Sequence, residues 1–259
     1  MRVLITNDDG ITAPGLAVAE EIVAEVAGPN AEIWVVAPDN ERSGVGHCIS
    51  YVAPTRLTQV GPRRFSVDGY PADCVLVGLH KVLKNTPPDL IISGVNKGHN
   101  VAEDVVYSGT AGAAMEGGLN RIPSIALSQF YRSTEGAPED MWSSARAHGA
   151  AAVRAVMKMP FPGTTFYNVN FPAMDPSAVR GTTICRQGIR DEATFEISDY
   201  TAPNGRSFQF VRHRIANHSA PEGSDARMLI DGWVTITPLR PELTADDLLD
   251  QARAVLDAE

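Results

Sequence analysis

The chain opens Met1-Arg-Val-Leu-Ile-Thr-Asn-Asp-Asp-Gly10, and the reading of this stretch decides the fold. Val3, Leu4 and Ile5 form an unbroken aliphatic run, the pattern of a strand buried on both faces of a parallel sheet. Asn7 to Gly10 is the turn that follows. The strand therefore delivers Asp8 and Asp9 to its carboxyl end, where open α/β sheets hold their ligands. Adjacent carboxylates repel, and a hard divalent cation bound through oxygens is the common remedy. An ordinary Asp-Gly turn is the other reading of Asp9-Gly10; it explains the second carboxylate less well.

Outward from this strand, Ala13-Pro-Gly15 opens a helix whose apolar stripe is Leu16, Ala19, Ile22, Val23 and Val26, and Gly28-Pro29 ends it. Residues 32–37 are a second buried strand, which completes a β-α-β unit and leads into the polar loop Pro38 to Gly44. A dinucleotide fold needs GxGxxG after the first strand, and Asn7-Asp-Asp-Gly-Ile-Thr12 stands there instead. Residues 47–68 read as an extended hairpin and 72–83 as a helix with Asp73 in its first turn. Residues 89–94 are a third buried strand, followed by Val95-Asn-Lys-Gly-His-Asn100 on the same sheet edge. From Tyr107 to Met115 small residues let a helix start close to the sheet, with Ser108, Gly109 and Thr110 at its N-terminus. Such ends bind phosphate, and a serine there equally serves as a plain N-cap. A strand at 122–127, a helix at 140–157 and a strand at 165–170 continue the alternation. The expected fold class is α/β, a doubly wound, mostly parallel, Rossmann-like sheet.

Beyond about residue 180 the alternation stops. Residues 182–187, 193–198, 207–212 and 231–237 read as strands, the middle pair joined by the turn Ala202-Pro-Asn-Gly205. Residues 244–256 read as a terminal helix capped by Thr244. This divides the chain into a core, 1–185, and a C-terminal segment, 186–259, of hairpin arm, return strand and terminal helix. A two-stranded ribbon is marginal alone, so the arm is expected to pack on another subunit.

The chain of 259 residues has 44% hydrophobic and 20% charged residues, an ordinary globular balance. A net charge of −9 argues against a nucleic-acid polymer or an anionic membrane surface as partner. Cys48, Cys74 and Cys185 show no CxxC pairing, so neither a disulfide framework nor a thiolate zinc site is indicated and a reducing cytoplasm is the expected location. The first strand begins at residue 2 and no apolar run approaches a membrane span of roughly 18 residues, so neither export nor membrane insertion is expected.

Four motifs now stand in order: NDDG at 7–10, APDNERSG at 37–44, SGVN at 93–96 and YSGTAGAAMEG at 107–117. Together they resemble the SurE family of stationary-phase survival proteins, metal-dependent nucleotidases. The match runs on through Gly69-Tyr-Pro-Ala-Asp-Cys74, Gly223-Ser-Asp225 and Asp231 to Leu239. The resemblance implies hydrolysis of nucleoside monophosphates, as a 5′-nucleotidase whose range extends to 3′ esters, by attack of a metal-activated water. It implies one Mg²⁺ or Mn²⁺ per subunit on Asp8, Asp9, Ser43 and Asn96, with Asp8 and Asp9 catalytic. Asn100, Ser108, Gly109 and Thr110 are then the donors to phosphate, and Lys97, Arg42 and His99 are candidates for added positive charge or a leaving-group proton. A homodimer or homotetramer with an exchanged C-terminal arm is implied as well.

Over Gly98–Thr110 the chain departs from the usual family pattern at His99, at Ala102 where that pattern has glycine and at Glu103 where it has aspartate, and Phe208-Gln-Phe-Val211 replaces a tryptophan-containing segment of the hairpin. These departures bear on substrate choice and subunit contacts and leave the ligand set intact. Two other readings compete. A haloacid-dehalogenase-like phosphatase would use Asp8 as a covalent nucleophile, but needs a second Asp where Gly10 stands. A non-catalytic nucleotide-binding scaffold has no use for adjacent unpaired carboxylates.

Overall fold

The computed structural model describes residues 1–132, 138–191, 195–213 and 219–257. Strand β1 (Arg2–Thr6) lies parallel between β2 (Glu32–Pro38) and β5 (Leu90–Lys97). The sheet they centre has nine strands, in the order β3 (Leu57–Gly61), β4 (Arg64–Val67), β2, β1, β5, β6 (Ser124–Gln129), β7 (Phe166–Phe171), β11 (Val234–Leu239) and β8 (Thr182–Ile184). From β1 the chain winds outward to β2 and β4, then crosses back to β5, β6 and β7. The winding thus reverses between β1 and β5, and a crevice beyond the carboxyl ends of strands opens at such a reversal.

The aliphatic run of β1 serves both faces. Val3 and Ile5 pack with α1 (Pro14–Ala27) and α5 (Ser143–Val156), through Leu16, Ile22, Val153 and Val156. Leu4, pointing the other way, packs with Val36 and Ile91 against Cys74, Val75 and Leu79. Full burial of each such side chain is worth about 1.5–3 kcal/mol, so β1 anchors the ends of its neighbours firmly. On the second face α4 (Gly109–Leu119) sets Ala111 and Ala114 against Ala126 and Phe166.

Several boundaries differ from the sequence reading. The extended hairpin is confined to 57–67, and residues 47–56 form a loop in which Tyr51 and Val52 are exposed. The helix expected at 72–83 is α2 (Pro71–Val77), which widens into a π-helical turn over Gly78–Val82. Thr244 does not cap the terminal helix; α7 spans Asp246–Leu256 with Ala245 at the N-cap and no side-chain cap bond. A short helix, α6 (Asp225–Ile230), was not foreseen, nor was the single turn α3 (Asp104–Tyr107). Of the strand expected at 193–198, residues 193 and 194 lie outside the described residues.

The return strand β11 joins the main sheet, antiparallel to β7 and parallel to β8. The hairpin β9 (Phe195–Thr201) and β10 (Ser207–His213) stands apart as an antiparallel ribbon. Its base is tied to the core by buried charge. The Arg190 guanidinium, wholly buried, pairs with Asp104 at 2.7 Å and Glu103 at 3.1 Å. Asp225 accepts from the backbone N–H of Ala102 at 3.1 Å and of Gly188 at 2.8 Å. Among the described residues no helix is long and apolar enough to cross a membrane.

Candidate active site

The end of β1 and the loops after β2 and β5 meet at the reversal point. The Asn7 side chain closes the turn, its amide donating to the Gly10 carbonyl at 2.9 Å and its Oδ1 accepting from the Gly10 N–H at 3.2 Å. Asp8 follows, and its carbonyl accepts from the Arg42 N–H at 2.7 Å, which ties the loop after β2 to the end of β1. In β5 the register shifts between Ser93 and Asn96. Gly94 sits there at φ 130, and a Cβ would stand 2.2 Å from the Leu127 carbonyl oxygen, so only glycine fits the bulge.

Asp8 is 4% exposed, and its Oδ1 accepts a 2.6 Å bond from Thr110 Oγ1 at the start of α4. Burial pushes its pKa up to about 7; the Thr110 hydrogen bond opposes the shift and the charge of Asp9 adds to it. Asp9 is also raised, by burial first, against the Lys97 N–H, which donates to its Oδ2 at 3.0 Å. Among the described residues neither carboxylate has a cationic side chain within ion-pair distance. Gly109 allows α4 to come this close. A Cβ there would lie 2.9 Å from Asp8 Cβ and 3.1 Å from Pro71 Cγ.

The other two implied ligands keep their oxygens available. Ser43 Oγ donates to Glu41 Oε1 at 2.9 Å, and Asn96 Nδ2 donates to the Gly98 carbonyl at 2.9 Å. Lone pairs on Ser43 Oγ and Asn96 Oδ1 are left over. Asp8, Ser43 and Asn96 line one cavity of about 850 Å³, while Asp9 lies beside Asp8 without lining it. Among the described residues no group of three or more His, Cys, Asp or Glu gathers to hold a metal. A divalent ion would rest on two carboxylates plus neutral oxygens, which is the donor set of a hard cation that keeps open positions. The residues fit that ion: a pair of carboxylates without a cationic partner among the described residues, Asp8 buried and Asp9 half-buried, is what it would neutralise.

Of the implied phosphate donors, Ser108 is the N-cap of α4 and its Oγ accepts from the Ala111 N–H at 3.0 Å, so its own proton stays free to donate. Asn100 donates to Ser128 Oγ at 2.8 Å and to Thr110 Oγ1 at 3.4 Å, and its carbonyl accepts from Asn168 and Asn170. Asn100 and Ser108 line the cavity with Lys97 and His99. Arg42 turns away, toward Asp39 at 3.3 Å and the Tyr70 ring.

One side-chain group in the cavity was given no role by the sequence, although Asp104 matches the family pattern. Asp104 is held by Arg190 and by His213 Nε2 at 3.0 Å, with His99 Nε2 at 3.6 Å. Burial acts upward on its carboxyl, but the hydrogen bonds from His213 and Arg190 and the charge of His99 outweigh it and bring the pKa to about 2.

The family model described as Survival protein SurE matches residues 3–194. The chain is 48% identical to the 5′-nucleotidase SurE of Jannaschia sp. (strain CCS1), covering 99% of this chain and 100% of that protein. It is 46% identical to the 5′-nucleotidase SurE of Ruegeria pomeroyi, over 99% and 100%. The chain belongs to the SurE family. The crystal structure of a SurE protein from Aquifex aeolicus superposes with a TM-score of 0.83 at 33% identity, over 99% of this chain and 100% of that one. That match extends over the return strand and the hairpin as well as the first 194 residues. Within it Ala102 holds φ 52, a conformation that suits the glycine of the family pattern better than alanine.

Proposed function

We propose that the chain is a metal-dependent phosphomonoesterase that hydrolyses nucleoside monophosphates to nucleoside and phosphate. The observation that carries this reading is the buried Asp8 beside Asp9, without a cationic partner among the described residues, on a cavity large enough for a nucleotide. Curated relatives nearly half identical over the full length bear the name of that activity. Asp8, Asp9, Ser43 and Asn96 would hold the ion. Bound there, Mg²⁺ or Mn²⁺ neutralises charge on the phosphoryl oxygens and lowers the pKa of an attacking water.

The protein's own groups then orient the ester. The Ser108 hydroxyl and the Gly109 amide at the start of α4 donate to phosphate oxygens, and the helix dipole favours the negative charge. Thr110 and Asn100 fix the frame, Thr110 by holding Asp8 and Asn100 by holding Ser128. Lys97 adds positive charge at the mouth, and His99 is the candidate to give the leaving oxygen its proton. A covalent route through Asp8 lacks its acid, since Gly10 stands at φ 102 with its Cβ direction 3.2 Å from the Asn40 carbonyl carbon. Phosphate release from AMP, with and without a chelator, tests the proposal. Metal-replete protein that releases none would leave the scaffold reading.

We infer also that residues 186–259 serve assembly, as a homodimer or homotetramer. Ile197, Phe208, Phe210 and Val211 of the ribbon are exposed, and α7 buries none of its residues. Such apolar faces call for a partner surface. The three free cysteines accord with a cytoplasmic setting.

A further inference from the structure

We propose that Phe195 and His213, the residues at the root of the hairpin arm, form the wall that receives the nucleobase, so that the arm carries the site's preference for nucleotides over simple phosphate esters. The inference rests on the nucleotidase reading above. A phosphate fills only a small part of about 850 Å³, and the same cavity is lined by Phe130, Phe195 and His213.

Phe195 and His213 face each other as a pair in the ribbon register, and their rings meet edge to face at 5.5 Å and 72°. Phe195 also meets Tyr107 edge to face, at 5.0 Å and 77°. Each such contact sets the edge of one ring on the face of the other, and with both made Phe195 still shows aromatic surface, 37% exposed, on the cavity it lines. A planar heterocycle is the ligand that such a face accepts, whatever its sequence of ring atoms. His213 is oriented by Asp104 through Nε2 at 3.0 Å, which leaves Nδ1 for the polar edge of a base. Asp104 is in turn held by the wholly buried Arg190, so the wall is set before ligand arrives. A sugar phosphate or glycerol phosphate makes no use of these rings.

The test compares kcat/KM for AMP with kcat/KM for glycerol 2-phosphate in the metal-replete full chain, alongside calorimetric binding of adenosine. Phe195→Leu keeps apolar volume and removes the aromatic face; His213→Gln keeps a donor toward Asp104. The AMP to glycerol 2-phosphate ratio is expected to fall at least about tenfold in Phe195→Leu, with adenosine binding weakened alike, and to recover in Phe195→Tyr. A ratio that holds in both variants, or an equal fall for both esters, overturns the base wall while leaving the nucleotidase reading in place. Adenosine binding that depends on Phe195 in a protein inactive on both esters sinks the nucleotidase reading and keeps the wall.

Discussion

Thr110 Oγ1 donates to Asp8 Oδ1 at 2.6 Å, so the first turn of α4 grips the carboxylate at the end of β1. Thr110 is itself wholly buried, and its bond is the side-chain contact that lowers the Asp8 pKa against burial. Thr110→Val keeps the shape and removes the donor. Loss of a partner that orients a metal ligand costs about 10- to 100-fold in affinity. Calorimetric titration of Mn²⁺ at pH 7 is expected to show a loss in that range, and an unchanged affinity would show that the hydroxyl does not hold the ligand.

The two buried carboxylates of the cavity bias stability in opposite directions with pH. Asp8, raised to about 7, keeps in the folded metal-free protein a proton that the unfolded chain has lost. Its contribution is present at low pH and is lost as pH climbs from about 4 to about 7. Asp104, lowered to about 2, contributes stability above the ordinary carboxylate value and loses it as pH falls from about 4 to about 2. Metal binding must displace the Asp8 proton. Mn²⁺ affinity is therefore expected to rise with pH up to about 7 and then flatten, with proton release below that point. Titration in buffers of different ionisation enthalpy reads both, and an affinity flat from pH 5 to 7 would contradict the assignment.

Charge at the ion site is tested directly by Asp8→Asn and Asp9→Asn. Each removes one of only two carboxylates and leaves neutral oxygens, so turnover of AMP is expected to fall at least about a hundredfold, and chelator to abolish activity in the parent protein. Substantial phosphate release by metal-free Asp9→Asn would defeat the metal reading.

Why these residues were legible is a matter of range. Asp8 and Asp9 follow an aliphatic run whose burial on both faces follows from local sequence, and Ser108 announces an N-cap that the Ala111 N–H indeed uses. Both signals span a few residues. Asp104 and Arg190 are 86 positions apart, and nothing near either one announces the pair. The loop 47–56 misled because weak alternation imitates a strand, yet Tyr51 and Val52 meet no partner strand and stay exposed. Short α6 offers too few turns for a helical period to show. Ala102 is a departure whose cost shows only in the backbone, at φ 52.

Arg190 gives that long-range pair a measurable value. Its side chain is fully buried and its two partners are carboxylates on α3 and just before it. Arg190→Met removes the cation and leaves Asp104 as a buried charge with His213 and His99 alone beside it. Breaking one partner of a buried pair costs about 3–5 kcal/mol. Urea unfolding at pH 7 should show a loss of that order, and part of it should be recovered by Asp104→Asn in the same chain, because the double variant no longer buries an unpaired charge. A single variant as stable as the parent would mean that the arm's root is held by other contacts.

The arm supplies the last prediction. Along β9 and β10 the side chains of Ile197, Tyr200, Phe208, Phe210 and Val211 are all exposed, and the ribbon pairs only with itself among the described strands. An isolated ribbon gains too little burial to offset the ordering of its backbone. A neighbouring copy that covers these side chains removes the deficit, and the arm's root at Phe195 and His213 stays at the cavity while the tip at Pro203-Asn-Gly205 reaches outward. Replacing residues 193–212 by a short Gly-Ser linker leaves the main sheet complete, since β11 and β8 lie outside the deletion. Light scattering is expected to report a smaller assembly, while Mn²⁺ still binds at Asp8 and Asp9. If the mass falls only by the deleted residues and the number of subunits holds, then α7 or a face of the core joins the copies, and the exposed ribbon serves another partner.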